Sequence, residues 1–78
     1  MITVQVNLSG NLKAILPDQE TTKKIELEQP TSIYNVLLKA DINPAVVVKV
    51  LVEEEVKPKD YIIREDTIIT LIGPLAGG

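Results

Sequence analysis

The sequence predicts an α+β domain in which one helix lies across one face of a mixed sheet of four to five strands. Three observations point that way. The first segment alternates apolar and polar residues with the period of two that marks a half-buried strand, and β-branched runs that read as strands follow towards the far end. A single stretch in the middle, residues 33–40, carries helical spacing instead. The chain has 78 residues, room for one core only. With Cys 0 and His 0, disulfides, thiolate metal sites and imidazole ligands are excluded, so no metal site is expected and apolar burial must hold the domain together. Hydrophobic residues make up 45% of the chain and meet that demand, although a domain this small buries only about 60% of its unfolded surface.

In chain order, Ile2, Val4, Val6 and Leu8 alternate with Thr3, Gln5 and Asn7 as a first strand, which Ser9-Gly10-Asn11 breaks. Residues 12–16 are short and apolar and read as one helical turn, ended by Pro17-Asp18. A second strand covers about residues 23–28, with Ile25 and Leu27 inward and Lys24, Glu26 and Glu28 outward; it forms a long-looped hairpin with the first. Thr31 or Ser32 can N-cap the helix, because a hydroxyl accepts from an otherwise orphaned N–H of the first turn. Its apolar face is Ile33, Val36, Leu37 and Ala40, and Asn43-Pro44 is expected to close it, since the residue before proline is driven out of the α region.

Residues 46–52 are dense in β-branched side chains and read as a strand. Lys49 sets its facing: Val46, Val48, Val50 and Val52 inward, Val47 and Leu51 outward with the lysine. Glu53-Glu54-Glu55 is expected as a solvated turn or strand end, and residues 56–60 as irregular, with Tyr61, Ile62 and Ile63 packing back under the sheet. After the Arg64-Glu65-Asp66 turn, residues 67–72 form the last strand, which Gly73-Pro74 ends. Strands on either side of one helix in this order make the β-grasp arrangement. Its first and last strands lie parallel at the centre, and the last one neighbours the valine-rich strand. Residues 1–73 form the domain, and 74–78 are expected as a flexible tail ending in Gly77-Gly78.

The net charge of −3 argues against a nucleic-acid surface, which needs clustered Lys and Arg; Lys23-Lys24 and Lys57/Lys59 are only pairs. No basic and apolar leader follows Met1 and no apolar run approaches a membrane span, so no membrane contact and a cytoplasmic location are expected. Without Cys or His the usual nucleophiles and bases of hydrolytic chemistry are missing, and Gly10 and Gly73 are isolated and make no phosphate loop. The expectation is a carrier or substrate protein, not an enzyme, with no cofactor bound by the chain itself.

The stretch Ile72-Gly73-Pro74-Leu75-Ala76-Gly77-Gly78 resembles the ending of the ubiquitin-like sulfur carriers, the molybdopterin synthase small subunit and the thiamin sulfur carrier. The Ile42-Asn43-Pro44 helix exit, the valine-rich strand and the Glu65-Asp66 turn are similar as well, so the resemblance covers nearly the whole chain. The long first connection, with Leu12 and Leu16, is closer to the molybdopterin type. Two turns depart from the pattern: Glu53-Glu54 stands where the family often has the Asn-Gly hairpin signal, and Glu65 where it usually has glycine.

The resemblance implies a role for each tail residue. The α-carboxylate of Gly78, ionised at neutral pH, would attack ATP in an E1-like adenylating enzyme that supplies nucleotide and metal. A persulfide-bearing sulfurtransferase or desulfurase would then convert it to a thiocarboxylate. A large synthase subunit or a thiazole synthase would receive the sulfur, for molybdopterin or thiamin biosynthesis. Gly77 and Ala76 would keep the tail thin, with Leu75 and Pro74 directing it. A ubiquitin-like modifier joined to targets through Gly78, a tRNA-thiolation carrier and a noncovalent binding module of the same fold are the alternatives. The strand facings add a separate expectation: with Ile69 and Leu71 towards the helix, Ile68 and Ile72 lie outward beside Val47 and Leu51 as a partner-binding patch leading to the tail.

Overall fold

β1 (Ile2–Leu8) turns Val4, Val6 and Leu8 into the interior, as their alternation with polar residues requires. It pairs antiparallel with β2 (Thr22–Leu27) and parallel with β7 (Thr67–Ile72). Between them in sequence come α1 (Gly10–Ile15), β3 (Thr31–Ser32), α2 (Ile33–Lys39), a 3-10 turn (Pro44–Val46), β4 (Lys49–Val52), β5 (Glu55–Lys57) and β6 (Ile62–Ile63). The computed structural model describes residues 1–74. The five-stranded sheet has the spatial order β2-β1-β7-β4-β5, and β3 and β6 form a separate small ladder. The predicted fold class holds, with a parallel central pair, β4 antiparallel to β7, and a single main helix packed into the core.

Inward residues of the sheet meet Ile33, Val36 and Leu37 of α2 in one hydrophobic cluster, and no polar or charged residue among those described is buried with them. Ser32 is the N-cap: its Oγ accepts the Asn35 N–H at 3.2 Å. The N–H groups of Ile33 and Tyr34 donate to the carbonyls of Tyr61 and Lys59, so the loop before β6 satisfies the start of the helix.

Three expectations need correction. First, α2 stops before Asn43-Pro44. Asp41, at φ 61°, takes the left-handed position usually held by glycine. Its N–H donates to the Leu38 carbonyl, and the Ile42 N–H to that of Leu37. This is a Schellman closure in which Ile42 folds into the core beside Leu37, so the apolar contact ends the helix ahead of the proline.

Second, the valine-rich segment does not alternate throughout. The 3-10 turn, capped by Asn43 Oδ1 accepting from the Ala45 N–H, rotates the chain at about 3 residues per turn. Strand alternation therefore starts only at Lys49, and what precedes it loses phase: Val47 is 1% exposed and belongs to the core, while Val48 is 58% exposed. Val47 is no part of an outward patch, and Val48 is not an inward residue. Third, Val56 and Lys57 are not irregular but belong with Glu55 to β5, hairpinned to β4 with Val52 opposite Glu55. The two-residue connection puts Glu53 at φ 49° and Glu54 at φ 76°, the pair of positive φ values that a type I′ turn demands.

Candidate functional site: the tail root and the adjoining sheet face

β7 leads into Gly73 and Pro74, and its pleat divides it between two duties. Ile69 and Leu71 are fully buried in the core, whereas Ile68, Thr70 and Ile72 face the opposite side of the sheet. The ladder register sets their neighbours. Leu51 stands opposite Thr70 and Val56 opposite Leu51, while Ile72 is opposite Lys49 and Ile68 opposite Gln5. The outer face is thus split: its β7, β4 and β5 half presents Ile68, Leu51, Val56 and Ile72 with Thr70 and Lys49 among them, and its β1 and β2 half presents Thr3, Gln5, Lys24 and Glu26.

Ile68 is 48% exposed and Val56 62%; Leu51 and Ile72 are half-buried. The expected patch members Leu51, Ile68 and Ile72 come together, Val47 does not, and Val56 joins them. Sequence reasoning missed Val56 because Glu53-Glu54 is not a recognisable hairpin dipeptide; the signal that could have found it is the two-residue gap itself.

The patch runs into the root of the tail. The Val48 N–H donates to the Ile72 carbonyl at 2.8 Å, the last rung of the ladder on that side. Gly73 is buried against α1: a Cβ added there would meet the Cα and Cδ1 of Leu12, both at 3.1 Å. Glycine suits this point by close approach, not by an unusual backbone angle: a Cβ would oblige Leu12 to give by a few tenths of an ångström. The Asn11 amide brackets the same residue: Nδ2 donates to the Gly73 carbonyl at 3.0 Å, and Oδ1 accepts the Gly73 N–H at 3.3 Å. Pro74 is exposed, and Leu75, Ala76, Gly77 and Gly78 lie outside the described residues. Asn11, read from the sequence only as part of a strand break, was missed as a contact of the tail root. Its partners Gly73 and Pro74 lie more than sixty residues away in sequence, and nothing local signals that pairing.

Among the described residues no group of three acidic side chains is placed to hold a metal ion, and no helix is long and apolar enough to cross a membrane. The architecture defines a ubiquitin-like β-grasp protein. No family model matches the chain and no curated protein matches its sequence. Solved structures match its fold along nearly the whole length. SAMP1 from Haloferax volcanii superposes with a TM-score of 0.73 at 14% identity, covering 97% of this chain and 99% of that one. A protein assigned as molybdopterin converting factor subunit 1 from Pyrococcus furiosus gives 0.70 at 9% identity, covering 96% and 100%. A further structure, small archaeal modifier protein 1 of H. volcanii, gives 0.72 at 12% identity, again covering 96% and 100%. At 9–14% identity these matches show a shared β-grasp fold.

Proposed function

We propose that this chain is a sulfur carrier whose Gly78 carboxylate is activated by an E1-like adenylating enzyme and converted to a thiocarboxylate. The observation that carries the reading is the apolar half of the outer sheet face, Ile68, Leu51, Val56 and Ile72, which leads directly to the Gly73-Pro74 root of a Gly-Gly tail. An exposed apolar patch of this kind suits a partner surface. Docking there would deliver the tail to the partner's active site.

A Gly78 carboxylate oxygen attacks the α-phosphorus of ATP, the bond to the β-phosphate oxygen breaks, and pyrophosphate leaves. The terminal sulfur of an enzyme persulfide then attacks the acyl carbon and AMP leaves with the C–O bond electrons. A second thiol of the donor cleaves the sulfur–sulfur bond, leaving a thiocarboxylate on Gly78 and a disulfide on the donor. The partner supplies nucleotide and metal, and the sulfur goes to a pterin or thiazole precursor through a large synthase subunit or a thiazole synthase. The molybdopterin branch draws support from the P. furiosus neighbour, which is assigned as a molybdopterin converting factor subunit.

A second reading has its own support. One H. volcanii neighbour is a modifier protein by name, and the same adenylated glycine would serve conjugation to lysines of target proteins. Intact-mass measurement after incubation with ATP, an activating enzyme and a persulfide donor separates the two. Replacement of one Gly78 oxygen by sulfur supports the carrier. Isopeptide conjugates without a thiocarboxylate support the modifier. An unchanged mass with a partner that adenylates other carriers overturns both. Gly77→Val should block adenylation in either case, because the Cβ and its methyls thicken the segment that must enter the partner.

A further inference from the structure

Ser9 and Asn11 stand at the start of α1, but neither side chain serves the helix. Ser9 is the N-cap residue, yet its hydroxyl makes no capping bond; it donates instead to Asn11 Oδ1 at 2.6 Å. That bond leaves Asn11 Nδ2 directed at the tail, where it donates to the Gly73 carbonyl at 3.0 Å and to that of Pro74 at 3.3 Å. Asn11 Oδ1 also accepts the Gly73 N–H at 3.3 Å. A side-chain amide thereby extends the sheet by one rung, giving Gly73 both of the bonds a neighbouring strand would offer. No backbone rung replaces it on the far side, because the β4 ladder ends with the Val48 N–H on the Ile72 carbonyl and Pro74 has no N–H. Leu12 closes the remaining side of Gly73. The rung is itself anchored, since the Ser9 N–H donates to the Leu71 carbonyl at 2.9 Å.

We propose that Asn11, oriented by Ser9, is a positioning residue for the C-terminal tail. It fixes Gly73 and Pro74, the root of the tail, in one place relative to the apolar outer face. A partner that docks on that face meets that root already in position. The kinetic consequence rests on the carrier reading above, whereas the geometric one does not. Freeing Gly73 and Pro74 adds residues that must be ordered during threading, after docking has taken place. The loss therefore falls on kcat, while the KM for the carrier, set by the patch, is preserved.

The test uses the full-length chain with Asn11→Ala. Alanine is the stronger helix former, so α1 itself is not weakened by the replacement. The Gly73 amide should lose its protection from hydrogen exchange by tenfold or more, and its 15N order parameter should fall. ATP–pyrophosphate exchange with the activating enzyme should show kcat lowered about tenfold, with KM changed less than about twofold. Asn11→Asp keeps the side-chain shape but sets a carboxylate against two carbonyl oxygens, and should be no better than alanine. Val36→Ala, a core change remote from the tail, should lower Tm and leave both the Gly73 order and kcat unchanged.

If Asn11 only pinned α1 to the sheet, Asn11→Ala would behave like Val36→Ala, and that result overturns the proposal. So does an Asn11→Asp variant with wild-type Gly73 order. If the wild-type chain is not adenylated at all, the carrier reading fails by itself. The Gly73 measurements then decide alone: unchanged order in Asn11→Ala refutes a positioning role, and lost order upholds it.

Discussion

The two sides of β7 are built from the same aliphatic residues and serve opposite ends. Ile69 and Leu71 are fully enclosed between the sheet and α2, while Ile68 and Ile72, one residue away from each, lie on the outer face with Leu51 and Val56. Composition cannot distinguish these pairs; only the pleat does. The inner pair holds the fold and the outer pair contributes little to it. Stability and partner binding should therefore come apart under substitution along a single six-residue strand.

The largest effect belongs to the inner side. Leu71→Ala should destabilise the domain by about 2–5 kcal/mol, because the site is fully buried and its neighbours close only partly over the cavity. In a domain this small that is enough to unfold much of the population at physiological temperature, and urea denaturation reads it directly. Gly73→Ala comes next, at about 1–3 kcal/mol, since its Cβ would press on the Leu12 backbone, which cannot turn away as a side chain could. The outer side should respond differently. Ile68→Asp and Ile72→Asp should each cost under about 1 kcal/mol of folding stability. They should still weaken binding to the activating enzyme about tenfold or more, as measured by calorimetric titration. If both variants bind as the wild type does, the outer patch is ordinary surface and the contrast between the two sides is only one of packing.

How far the sequence could be read follows the same division. Where one face of an element is buried, the periodicity carries the answer. β1 and the apolar face of α2 follow from alternation and helical spacing, and the parallel central pair follows from the order of elements. The readings that failed sit where a local backbone feature overrides the period. At residues 44–46 a 3-10 turn shifts the phase and sends Val47 inward; at Asp41 a left-handed residue ends the helix three positions before the proline that looked responsible. The tail root was illegible for another reason. Asn11 and Gly73 are brought together by tertiary folding alone, and an asparagine in the first turn of a short helix carries no mark of the residue it will bond.

The Glu53-Glu54 turn offers the smallest change and the cleanest check on the outer face beside it. Both residues adopt positive φ, at 49° and 76°, where a Cβ crowds the backbone and glycine or asparagine is strongly preferred. The pair connects Val52 to Glu55 at the end of β4 and borders the surface around Ile68 and Thr70. Replacing both, Glu53→Asn with Glu54→Gly, should relieve this strain and stabilise the fold by about 1 kcal/mol net. The added freedom that glycine gives the unfolded chain offsets part of the gain. Thermal unfolding should show a higher midpoint with an unchanged core. A stable variant of this kind that also keeps full affinity for the activating enzyme would limit the docking surface to Ile68, Leu51, Val56 and Ile72. Lost affinity in the more stable protein would instead extend that surface to the acidic turn, because stabilisation cannot itself weaken a preformed face.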